Sequence, residues 1–101
     1  MASDRFYVGM AAEAVVFVQS VHPVTGEKTE QDSLPSVTIR FLNPDETVLA
    51  EKTLVDGVIN AGGGYYHASA VPTEEGIHYV EYETGGPKPG RDKGTFTVEP
   101  F

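Results

Sequence analysis

Three histidines, His22, His67 and His78, are the first residues in this 101-residue chain that could do chemistry. Imidazole binds zinc, nickel or copper when two rings stand at short, fixed spacing, as in His-x-His or His-x-x-x-His. No such pair occurs. The alternating pattern that places them also turns His67 outward and His78 inward on consecutive strands, so no metal centre is expected. Oxygen ligands are the next possibility, from Asp45, Glu46, Asp56, Glu74 and Glu75. Calcium takes about six or more oxygens, commonly from an Asp-x-Asp-x-Asp-Gly run, and none is present. These carboxylates read as solvated turn residues.

Catalytic arrangements are equally sparse. Glu74-Glu75 is an adjacent acidic pair in a loop, with nothing to hold it at the separation glycoside hydrolysis needs. No Ser sits in a Gly-x-Ser-x-Gly elbow. The run Gly62-Gly63-Gly64 lacks the Gly-Lys-Ser/Thr ending of a phosphate loop. Zero cysteines remove disulfides, thiolate metal sites and thiol nucleophiles. The expectation is a protein without catalysis and without a cofactor.

Composition narrows the partners. With 15 acidic and 7 basic side chains the net charge is −8, opposite in sign to what a nucleic-acid backbone recruits. The longest apolar patch, Ala14 to Val18, is far short of the ~18 residues of a membrane helix. Neither nucleic acid nor membrane is expected as a partner. The start Met-Ala-Ser-Asp-Arg-Phe shows no basic segment leading into an apolar one, so a cytoplasmic site of synthesis and assembly is expected.

What remains is surface contact. Tyr7, Tyr65 and Tyr79 fall on the outward phase of their strands, and tyrosine brings large rigid area with a polar tip to interface cores. Lys88, Arg91 and Lys93, three of the seven cations, share one Gly/Pro-rich stretch. A positive loop on a negative body suits docking to an acidic neighbour, including another copy of the chain.

The elements that must position these residues are strands. Arg5 to Val8 is short and ends at Gly9. Glu13 to Val21 carries Val15, Val16, Phe17, Val18 and Val21, a β-branched run. His22 to Glu27 is a turn and Lys28 to Pro35 reads as a polar loop. Ser36 to Leu42 alternates, with Val37, Ile39 and Phe41 on one face and Thr38 and Arg40 on the other. Asn43-Pro44-Asp45-Glu46 is a turn signal, and Val48 to Leu54 returns beside it. Asp56-Gly57 turns into a short Val58-Ile59, and Ala61 to Gly64 is a glycine junction. Tyr65 to Val71, Ile77 to Thr84 and Gly94 to Glu99 complete the strands, with Gly85 to Lys93 read as a loop. About seven short strands without a helix describe one all-β domain, a sandwich or small barrel.

Several of these segments share a pattern. Asn43-Pro44-Asp45-Glu46-Thr47 resembles the Asp-Pro-Asp-Gly-Thr turn of Ig-like bacterial and phage domains, with Glu46 where the family has Gly. Gly64-Tyr65-Tyr66-His67-Ala68 is similar to their Gly-x-Tyr-x-Ala strand. The stretch Val71 to Tyr82 resembles Pro-x-x-x-Gly-x-aromatic-x-Val-x-aromatic, with His78 at an aromatic position, and Gly94 to Val98 resembles Gly-x-Phe-x-Val. The resemblance spans Ser36 to Glu99 and points to small Ig-like β-sandwich structural proteins of tailed-bacteriophage and prophage virions. It implies a Greek-key sandwich, antiparallel throughout, and inward Tyr66, Ala68, Ala70, His78, Val80, Tyr82, Phe96 and Val98. It also implies a non-enzymatic role in a virion assembled in the host cytoplasm, as capsid decoration or at the head–tail connection or tail. The partners would be capsid or tail proteins, or other copies of the chain. A carbohydrate- or surface-binding module of a secreted adhesin, with Tyr65 and Tyr79 as an aromatic platform, is the alternative.

Overall fold

The computed structural model describes residues 5–31, 34–86 and 89–100. Ten strands run through them: β1 (Arg5–Tyr7), β2 (Ala12–Phe17), β3 (Gln19–Val21), β4 (Lys28–Glu30), β5 (Val37–Leu42), β6 (Val48–Thr53), β7 (Ile59–Gly62), β8 (Tyr65–Ala70), β9 (Gly76–Thr84) and β10 (Gly90–Glu99). The described residues form no helix. A five-stranded sheet has the order β1-β10-β9-β5-β6, a three-stranded sheet the order β2-β8-β7, and β3-β4 is a separate ribbon.

Alternation explains the core between the two larger sheets. Val37, Ile39 and Phe41 of β5, Val80 of β9 and Phe96 and Val98 of β10 point to one side. They meet Ala12 and Ala14 of β2 and Tyr66, Ala68 and Ala70 of β8 in a single apolar cluster, the arrangement of a β-sandwich. The alanines leave room for an aromatic group centred on Phe96, with Phe6 edge-on at 5.7 Å, Phe41 at 6.4 Å and the His78 ring stacked at 5.2 Å. His78 therefore packs as an aromatic. Its Nδ1 lies 3.3 Å from the Gly76 carbonyl, and its buried Nε2 has no partner among the described residues. Tyr66, fully buried, sends its hydroxyl to the Gln31 carbonyl at 2.8 Å and accepts the Leu34 amide at 3.2 Å, tying the segment that enters β5 to the core.

Four features depart from the sequence expectations. The segment from Glu13 to Val21 is two strands, broken at Val18, whose amide donates to Gly64 and whose carbonyl accepts from Gln31. Lys28 to Glu30 is a strand, paired with β3, where a loop was expected. β10 begins at Gly90, so Arg91 and Lys93 stand on a strand and not in a loop. β1 runs parallel to β10, against an all-antiparallel expectation. The long axis is 49 Å, and the radius of gyration, 14.6 Å, exceeds the roughly 13 Å of a compact chain this long.

Candidate interaction surface

The tyrosines and cations divide between two outward faces. Tyr79, Arg91 and Lys93 lie on the outer face of the five-stranded sheet, because the register sets Lys93 opposite Glu81, Arg91 opposite Glu83 and Thr95 opposite Tyr79. Tyr7, opposite Glu99 at the β1 end of that sheet, lines a shallow apolar depression with Val8, Gly9 and Met10. Tyr65 is on the outer face of the other sheet. One aromatic platform of Tyr65 and Tyr79 is thus not formed. Lys88 lies outside the described residues.

The outer face of the five-stranded sheet is a charge lattice. Arg40 on β5 bonds Glu51 on β6 at 2.8 Å, and Glu81 and Glu83 on β9 at 3.2 and 3.3 Å. Glu51 first, then Glu81, hold its guanidinium well above the usual arginine range, while partial burial works the other way. Arg91 pairs with the same Glu83 at 3.3 Å. Lys93 reaches Glu46 at 3.6 Å and lies over the Tyr79 ring at 5.4 Å. Arg91 and Lys93, two of the three cations expected to meet an acidic partner, are thus each paired with a carboxylate of their own chain. Tyr79, beneath Lys93, is only partly exposed.

The three-stranded sheet presents the opposite character. Cross-strand pairing puts Val15 of β2, His67 of β8 and Ile59 of β7 in one row, and Phe17 beside Tyr65 in the next. Val15 is 53 %, Phe17 42 %, Ile59 55 % and Tyr65 48 % exposed, and the Phe17 and Tyr65 rings touch at 4.8 Å between centroids. His67 sits among them, 3.7 Å from Glu13. Of this cluster only Tyr65 was expected at a surface contact. Val15 and Phe17 share its phase, and the signal for them was the alternation Ala12-Glu13-Ala14-Val15, whose alanines mark the buried side.

The ribbon is held at its tip by His22, whose Nδ1 accepts the amides of Val24 and Thr25 at 3.2 Å. His22, His67 and His78 thus occupy the ribbon, an outer face and the core. Among the described residues no three metal-ligating side chains converge. A groove of 160 Å³ lies beside Tyr82 and Asp92, and the depression at Tyr7 measures 380 Å³; both are open to solvent. Burial, then the Asp92 charge, push the Tyr82 hydroxyl above its usual pKa. Comparison of the chain with protein-family models, characterised proteins and solved structures finds no match.

Proposed function

We propose that this chain is a non-enzymatic assembly protein of a tailed-phage particle, working by protein–protein contact through the outer face of β2-β8-β7. The observation that carries the contact reading is the exposed cluster of Val15, Phe17, Ile59 and Tyr65 on one sheet face. Scattered apolar residues on a surface need no explanation, whereas a contiguous cluster marks an interaction site. The virion assignment is supported by the turn and strand motifs between Ser36 and Glu99.

The finer fold reading is Ig-like. The order β1-β10-β9-β5-β6 against β2-β8-β7, with the first strand parallel to the last, supports a Greek-key sandwich. In such a scaffold one charged outer face and one apolar outer face give the domain a solvent side and a docking side.

Quantitative mass spectrometry of particles purified from the strain that encodes the chain tests the assignment. The expected result is the chain at a fixed ratio to the capsid or tail protein. Its absence from particles, with retention on a glycan array, would overturn it in favour of the surface-binding module.

A further inference from the structure

We infer that two copies of this chain pair through the open edge of β2, antiparallel about Val15, joining two three-stranded sheets into one of six. Hydrogen-bond parity identifies the unpaired backbone groups of this edge. In an antiparallel ladder, alternate residues direct both backbone groups at one neighbour, and the residues between direct theirs the other way. The Val18 amide donates to Gly64 at 2.8 Å, so Val16, Ala14 and Ala12 face β8. The β7-β8 hairpin agrees, since Gly62 pairs with Tyr65 across a two-residue turn and so leaves Tyr66 facing β2. The amides and carbonyls of Glu13, Val15 and Phe17 therefore point out of the sheet, and among the described residues no strand covers that edge.

The other edges of the two larger sheets carry features that discourage pairing, including residues 90–95 of β10, left uncovered by β1, which hold two glycines and the charged Arg91, Asp92 and Lys93. β6 has a bulge at the Phe41/Leu42 register shift and bears Glu51 and Lys52, β7 is four residues with its own bulge and a terminal glycine, and β1 is three residues. β2 has six residues, no bulge, no proline and no glycine, and its outward phase is Glu13, Val15 and Phe17.

A second copy is the occupant that this edge fits. Three outward residues spaced evenly about Val15 are self-complementary under a twofold axis, giving about six backbone hydrogen bonds. Val15 meets Val15 of its twin, and each Phe17 lies beside the other copy's Glu13. The two Glu13 carboxylates are kept from facing each other, four residues or about 14 Å apart along the strands. The net charge of −8 on each copy opposes approach, and salt screens it over about 8 Å at physiological strength, so pairing should tighten as salt rises.

Sedimentation equilibrium of the full chain from micromolar to millimolar concentration tests this, in low and high salt. The expected result is a rise from 10.9 kDa to twice that mass, at lower concentration in high salt. Val15→Pro removes a donor that faces outward and costs no bond within the chain, so it should remain folded by circular dichroism and stay monomeric. Val15→Lys, which sets two like charges at the dyad, is the second variant and should behave the same way. A wild-type chain that stays monomeric throughout overturns the pairing, as does a dimer that both folded variants retain. Presence in particles is read separately: a monomer found in particles refutes the pairing alone, and a dimer absent from them refutes the virion role alone.

Discussion

The amide of Val18 donates to the carbonyl of Gly64 at 2.8 Å, and that bond closes β2 onto the hairpin carrying Tyr65. It sits where the β2 chain leaves its sheet for the ribbon. Gly64 itself is buried, at φ +84°, and a Cβ there would meet the Val18 oxygen at 2.7 Å and the Phe17 ring at 3.2 Å. The Phe17–Tyr65 contact on the apolar face depends on that close approach.

Gly64→Ala should therefore cost about 2 kcal/mol or more, combining the left-handed backbone penalty with displacement of a backbone carbonyl. In a domain of this size the melting temperature should fall by about 8 °C or more. Thermal unfolding followed by circular dichroism checks this. A fall of less than about 2 °C would mean that β2 and the hairpin are not in this contact.

Glu46 is the counterpart case, a non-glycine residue at φ +68° in the turn between β5 and β6. Its amide donates to Asn43 at 2.8 Å, and Thr47 donates both its amide and its hydroxyl to Asp45, holding that carboxyl below the usual range. The family turn resembled by this segment has glycine where Glu46 stands, and the backbone angle gives the reason. Glu46→Gly should stabilise the fold by about 0.5–1 kcal/mol, since the exposed Lys93 contact it gives up is worth little. A chemical-denaturation midpoint that moves down instead would contradict this.

Arg40 holds Glu51, Glu81 and Glu83 together, and Arg40→Met leaves the three carboxylates facing one another. The loss should be about 1 kcal/mol at low ionic strength and should shrink in 1 M salt, where the screening length is about 3 Å. Urea titrations at both salt levels measure it. A loss independent of salt would show that the aliphatic stem of Arg40, and not its charge, is what matters.

The parts of this fold legible in the sequence are those whose side chains have a reason to alternate. Val37, Ile39 and Phe41 were placed on one face because that face is buried, and Tyr66, Ala68 and Ala70 likewise. Lys28 to Glu30 carries no strand signal in the sequence, because it pairs only with β3 and all three residues stay exposed, so no apolar pattern records it. Gly90 to Lys93 was hidden by its Gly/Pro surroundings, although hydrogen bonding to Glu81–Thr84 extends β9 and β10 together past the core. The sequence shows Arg91 and Lys93 as cations, but their pairing with Glu83 and Glu46 depends on cross-strand register and a hairpin turn, which spacing alone does not reveal. Tyr65 was legible as an outward residue. Its companions Phe17 and Ile59 lie 48 and six residues away, on strands that only the assembled sheet brings together.

The proposed docking of the outer face of β2-β8-β7 onto a particle is tested by incorporation of a Phe17→Asp/Tyr65→Asp chain into particles, in competition with the wild-type chain. Both side chains are about half exposed, so the double variant should keep its circular dichroism spectrum. The expected result is that the wild-type chain enters particles and the variant is left in the soluble fraction. Incorporation of the folded variant at the wild-type ratio would contradict it.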